Sequence, residues 1–327
     1  MKASRVWGWI GTFAFLVLMY GAFLNRQWLV DEFNVLTYKP ATAIASIASQ
    51  DQLTNTGQRY FYASRPQIED RTGFTKDCGS HEATVSVLGC YAGQRIYLFD
   101  VTDQELDGIE QVTAAHEMLH AAYDRLSDTE RQKIDALLLA EADKLKSDPT
   151  FSARIAVYAK LPSDQYVNEL HSVIGTEVAD PGSALENYYT QYFKDRASVV
   201  SMHAAYISVF TNLENQANQL SQTLTAEAAT IKSDGDSYKA QSAQLQADID
   251  AFNARASQNG GFTSQAEFNQ TRAALVARTD ALNAFREQIN QLVATYNANV
   301  VKFNSMETHL TTLNNDINSN LAPAPAV

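Results

Sequence analysis

The chain has 327 residues, 45% of them hydrophobic and 19% charged, which suits one or two folded units with accessory segments. Its 37 acidic residues against 25 basic ones give a net charge of −12 with no basic cluster, which argues against nucleic acid as a main partner, because phosphate binding needs concentrated Lys and Arg. Two cysteines, Cys78 and Cys90, exclude a four-thiolate metal site.

Residues 6–24 (VWGWIGTFAFLVLMYGAFL) contain no charged side chain. At 1.5 Å per residue such a stretch can cross a hydrocarbon core of about 30 Å. Lys2 and Arg5 precede it, so residues 1–24 are expected to form a single-pass signal anchor in the cell membrane, with the N-terminus cytoplasmic and the bulk of the chain extracytoplasmic. A disulfide between Cys78 and Cys90 is expected in that compartment. Residues 25–39 read as a connector, followed by a folded domain over 40–204.

Within that domain, Pro40 suits the first turn of a helix carrying Ile44 and Ile47, and a second short helix is expected over 51–58. Tyr60-Phe61-Tyr62 reads as a strand stopped by Pro66. Residues 84–88 and 95–101 are β-rich runs separated by Gly89 and Gly93, and they predict a hairpin with Cys90 near its turn. Helical signals begin at Asp103 and run to Leu126. A further helix starts at Asp128, with Ile134, Leu137 and Leu138 on one face, and Pro149 is expected to end the region. Ser163 is expected to cap a helix reaching about Ile174. Ser183 and Glu186 spell a capping box. The aromatic stripe that follows, Tyr188, Tyr189, Tyr192 and Phe193, reads as core packing.

From Ala217 apolar residues recur every seven positions, through Leu224, Ile231, Tyr238, Leu245 and Phe252. After Asn259-Gly260-Gly261 and a second capping box, Ser264 to Glu267, the row resumes at Phe268 and continues to Ile317. Phe285, Leu292, Met306 and Leu313 fill companion positions. Such a row marks a coiled-coil seam. Two matched arms of about 80 Å each predict an antiparallel helical hairpin over 205–318, turning near 258–263, with a disordered tail over 319–327. The expected fold class is α+β, predominantly α, with a small β-sheet.

The chemistry is concentrated in His116-Glu117-Met118-Leu119-His120. Residues four apart share a helix face, so His116 and His120 can point imidazole nitrogens at one Zn2+ ion at about 2.0–2.1 Å. Glu117 stands about 100° around the helix from His116, beside the metal and not on it. There it can take a proton from a water whose pKa the metal lowers to about 7, and return it to a leaving amine. The β-run over 95–101 just upstream is expected to hold an extended peptide by strand addition.

With this motif the sequence resembles the zincin superfamily of zinc metallopeptidases, in its gluzincin branch. Thermolysin-like members pair the motif with a downstream helix carrying Asn-Glu-x-x-Ser-Asp, and here that stretch reads Asn168-Glu169-Leu170-His171-Ser172-Val173. The resemblance covers roughly residues 95–180 and implies a zincin-like catalytic domain with Glu169 as the third zinc ligand. Val173 stands where the family has an Asp bracing a zinc-bound His, so Asp124 or Glu177 is a candidate for that support. His171 is a candidate for steadying the oxyanion, with Tyr188, Tyr189 and Tyr192 behind it. His171 and Glu177 are alternative third ligands. The stretch from Glu169 to Glu177 is also similar to uncharacterised bacterial membrane-anchored proteins.

Together these readings predict a membrane-anchored zinc endopeptidase acting on extracytoplasmic protein or peptide, with the hairpin available to a protein partner. An envelope adaptor built on the hairpin and a zinc amide hydrolase acting on cell-wall material are the competing functions. Glu117 discriminates against the adaptor, which needs no carboxylate there.

Overall fold

The structure, a computed structural model, describes residues 3–79 and 88–319. Most of the run expected over 84–88 and all but the first residue of the tail expected over 319–327 lie outside the described residues. The chain is predominantly helical with one three-stranded sheet. It divides into two compact units, residues 1–209 with 313–327, and residues 210–312.

The first unit begins with α1 (Ala3–Leu24) and α2 (Arg26–Thr37). Among the described residues no helix is long and apolar enough to cross a membrane. The stretch expected as a span, 6–24, lies within the helix α1, and the side chains of 6–12 and of Ala14 lie outside those described. The connector expected over 25–39 is corrected, because 26–37 of it form α2, which packs on α4 (Asn55–Ala63).

Asp31 of α2 explains why this helix is part of the domain. Its carboxylate accepts from Arg125 Nε at 2.8 Å and Nη2 at 2.7 Å, and both side chains are 5% exposed. Arg125 also donates to the Ala121 carbonyl at 2.6 Å and to Tyr91 Oη at 3.3 Å, and its guanidinium lies over the Tyr60 ring. A buried pair of this kind is tolerated only when such extra bonds satisfy the remaining donors.

Ile44 and Ile47 are buried on α3 (Thr42–Gln50). Residues 60–62, expected as a strand, belong to α4, whose start is set by Thr54 accepting from the Gly57 N–H. On this helix Phe61 is fully buried in the core, with Tyr60 and Tyr62 partly buried against it. The strand lies after Pro66: β1 (Gln67–Glu69) pairs parallel with β3 (Arg95–Phe99), and β2 (Gly89–Ala92) pairs antiparallel with β3. The strand order is therefore β1-β3-β2, with β3 central. A disulfide joins Cys78, the last residue of α5 (Arg71–Cys78), to Cys90 in β2.

The central helix is α6 (Ile109–Asp124), preceded by a 3-10 turn over Gln104–Leu106. Its Glu110 accepts from the Val101 N–H at 2.9 Å, tying the exit of β3 to the helix start. Ala114, Ala115, Met118, Leu119, Ala121 and Ala122 are fully buried, so helices and sheet enclose most of its circumference. The next helix, α7 (Asp128–Leu145), has its capping box at Ser127 and Glu130. Pro149 does not end the region. It occupies the first turn of α8 (Pro149–Ala156), where its missing N–H costs nothing, and Asp148 caps that helix.

α9 (Ser163–Glu177) packs along α6, and α10 (Ser183–Tyr189) carries the aromatic stripe into the core. The capping box expected at Ser183 is absent: Glu186 pairs instead with the buried Arg196, which also donates to the Val178 and Ala179 carbonyls. Arg196 opens α11 (Arg196–Ala256), so this helix begins inside the domain and not at 205.

The second unit consists of the distal part of α11 and most of α12 (Gln265–Asp316). The arms run antiparallel. Asp248 pairs with Arg278 at 2.6 Å, the Tyr238 and Phe285 rings meet at a tilt, and Glu227 accepts from Asn299 at 2.9 Å. At the turn Phe252, Phe262 and Phe268 pack together under the Arg255 guanidinium. Ser264 accepts from the Glu267 N–H at 3.1 Å, while Glu267 accepts from Thr263 and Arg255.

Removing one partner of a buried ion pair strands the other charge. Asp31→Ala is expected to destabilise the first unit by about 3–5 kcal/mol, and Asp31→Leu with Arg125→Met to recover most of that loss. Denaturant midpoints check this; an equally unstable double variant would show that the pair is not what holds α2.

Candidate metal centre

Five elements line the cleft, which has a volume of about 650 Å³: α6, α8, α9, β2 and, through Tyr206, α11. α6 supplies His116, Glu117 and His120, α9 supplies Asn168 and Glu169, and β2 supplies one wall through Gly89, Cys90 and Tyr91. Arg154 on α8 contributes the only Lys or Arg side chain lining it among the described residues.

His116, His120 and Glu169 offer ligand atoms that all lie within 4.8 Å of one another. His116 Nε2 is 3.5 Å from Glu169 Oε2, and His120 Nε2 is 3.6 Å from Oε1. Both distances exceed the 2.7–3.2 Å of an N–H···O bond. They suit instead the edges of a coordination tetrahedron, about 3.3 Å for bond lengths near 2.0–2.1 Å. The donor set, two imidazoles and a carboxylate, could hold a metal ion, and two His with one Glu match a three-ligand zinc site with an open position.

Electrostatics favours ligation. Burial pushes the His116 pKa below its ordinary value, against the opposing pull of Glu169. A neutral imidazole, the form a metal needs, is therefore the stable one. Burial raises the Glu169 carboxyl, but His120, His116 and Arg154 outweigh it and hold the pKa at about 2.

Asn168 provides support that sequence reasoning missed. Its Oδ1 lies 3.0 Å from His120 Nδ1. A proton on Nδ1 donated to that oxygen leaves Nε2 bare toward Glu169 and fixes the ring. Asn168 was legible as half of the Asn-Glu pair, and its role follows from the α6–α9 contact. Neither Asp124, which lines the cleft, nor Glu177 makes this contact. Glu177 accepts from Arg154 Nε at 3.0 and 3.1 Å and lies 3.5 Å from His203, and it is not in the ligand group.

His171 is corrected from cleft to core. It is fully buried and does not line the cleft; its Nε2 lies 2.9 Å from Tyr188 Oη, and rings of Tyr123, Tyr188 and Tyr189 surround it. Two residues on from Glu169 is about 200° around α9, which turns it away from the metal ligands. Burial, with His120 and His116 nearby, holds its pKa at about 3. Tyr188, Tyr189 and Tyr192 are buried with it.

The strand wall is corrected too. The run 95–99 is the central strand β3, whereas β2 is the edge strand and carries the cleft residues. β2 runs unusually close to the motif helix. A Cβ at Gly89 would stand 2.6 Å from Thr113 Cγ2 and 2.9 Å from Glu117 Cγ, so only glycine lets the strand backbone approach the carboxylate. Glu117 is 5% exposed beneath it. Arg154 had no sequence signal, because it lies on a helix that Pro149 seemed to preclude.

No protein-family model, curated protein or solved structure matches the chain.

If the group holds a metal ion, Asn168→Ala is expected to weaken the affinity for added Zn2+ by about 10–100-fold, read by competition with a chromophoric chelator. Unchanged affinity would remove Asn168 from the site. Gly89→Ala should push β2 off α6 and destabilise the fold by about 1–3 kcal/mol, read from denaturant midpoints; a variant with the wild-type midpoint would show that the close approach is dispensable.

Proposed function

We propose that the protein is a zinc-dependent hydrolase of peptide bonds in protein or peptide substrates. The observation that carries this reading is the grouping of His116, His120 and Glu169 beside the carboxylate of Glu117 in one cleft. When bound, zinc would supply the Lewis acidity that activates a water and polarises a carbonyl. His116, His120 and Glu169 hold the ion, and Asn168 orients His120. Glu117 takes the proton released by the attacking water and delivers it to the leaving amine nitrogen.

The edge strand β2 supports a peptide over other amides. Its backbone groups on the side away from β3 are not used by any described strand, and an extended chain can add there as a further strand. Arg154 is held by Glu177 and donates to Tyr158 Oη at 3.0 Å. That leaves guanidinium N–H groups in the cleft for a substrate carbonyl oxygen, where charge develops during the reaction. A non-catalytic adaptor has no use for a buried carboxylate beside a ligand group.

Metal analysis combined with Glu117→Gln tests the proposal. One zinc per chain is expected in wild type and variant, with hydrolysis of an unfolded polypeptide reduced at least about 100-fold in the variant. Glu169→Ala should lose zinc. Folded wild type that binds no zinc, or equal hydrolysis by wild type and Glu117→Gln, would overturn the reading.

A further inference from the structure

The large apolar side chains exposed on this protein are concentrated at one place. Most of them fall between Phe13 and Leu36, on α1 and α2. Contiguous exposed apolar surface on this scale marks an interaction site and not ordinary surface variation.

The two helices expose it differently. On α1, Leu16, Val17, Leu18 and Met19 are all more than half exposed. Four consecutive residues point in four directions around a helix, so no single groove of a partner protein would cover them, whereas lipid surrounds a helix on every side. On α2 the exposure is one-sided. Leu29, Phe33 and Leu36, spaced i, i+4 and i+7, form a stripe, and Phe33 and Leu36 are 64% and 76% exposed. Trp28 and Val30 flank it. At about 100° per residue, Asp31 and Gln27 lie on the opposite side, and both bind the domain. Asp31 pairs with Arg125, and Gln27 accepts from Gln94 Nε2 at 3.1 Å. Glu32, at the margin of the apolar arc, is paired with Arg59 at 3.4 Å. Exposed Arg26 opens α2 and exposed Lys39 follows its end, where long cationic side chains can reach phosphate headgroups.

We infer that α2 lies flat in the interface of a lipid bilayer, its Leu29–Phe33–Leu36 stripe facing the acyl chains, in continuity with α1. An indole at the headgroup level is the expected place for Trp28. The polar side of α2 is tied to Arg125 beside the motif helix and to Gln94 at the rim of the cleft, so the cleft mouth is held beside the bilayer. Attraction to anionic lipid is not required, since the chain carries a net charge of −12 and the contact is apolar.

The test uses the full chain with Trp7→Phe and Trp9→Phe, which leaves Trp28 as its single tryptophan, reconstituted with phosphatidylcholine vesicles. The protein is expected to float with the vesicles. Trp28 emission should lose more intensity to lipids brominated near the headgroup end of the acyl chain than to lipids brominated near its tail, and should be shielded from aqueous iodide. Phe33→Ser with Leu36→Ser, on the face away from the Asp31–Arg125 pair, should keep the thermal midpoint and lose the bromolipid quenching. Protein that floats with Trp28 open to iodide, protein that does not float, or Trp28 shielded equally without lipid by self-association would each overturn the inference. None of these readouts depends on hydrolysis or on zinc.

Discussion

At Gly175 a Cβ would fall 2.4 Å from Leu119 Cδ1 and 2.9 Å from the Tyr189 ring, so α9 lies against α6 more closely than any larger residue allows. The alanines at 114, 115, 121 and 122 keep α6 thin among its neighbours. This approach brings Glu169 to within 3.6 Å of both motif histidines and Asn168 to within hydrogen-bond distance of His120. Interiors are packed at crystal-like density, so a looser α6–α9 contact would have separated the ligand group by the width of the added side chain.

The same packing sorts the polar residues of α9 into two roles. Asn168 and Glu169 face α6 and the cleft. His171 lies outside the cleft, packed among Tyr123 of α6, Tyr188 and Tyr189, where burial keeps it neutral. Two histidines and one carboxylate thus form a group that could hold a metal ion, while a third histidine becomes part of the core. Arg154 lowers the pKa of both Glu169 and His116, so the cation lining the cleft reinforces the ligand-competent forms.

The strand wall is restrained from three directions. The disulfide holds Cys90 to α5, Gly89 rests on Thr113 and Glu117, and Tyr91 accepts from Arg125. Because Arg125 is also the partner of Asp31, the N-terminal helices, the motif helix and the strand wall share one buried guanidinium. A strand held this way at the edge of the sheet has little freedom left to lose.

The motif spacing was legible without a structure because helix geometry is local: residues 116 and 120 share a face whatever surrounds them. The hairpin was legible for a similar reason, since a heptad row repeated over many turns admits few arrangements, and the arms pair along the expected seam. Local signals failed where long-range packing decided the outcome. Tyr60-Phe61-Tyr62 joined a helix because Phe61 is buried in the core cluster, and 25–39 became a docked helix because Asp31 meets an arginine 94 positions later. Which strand forms the wall of the cleft, which histidine lies in it, and that Asn168 braces His120 are all consequences of how α6, α9 and β2 pack. Such contacts join residues distant in sequence, and no periodicity or spacing within one segment encodes them.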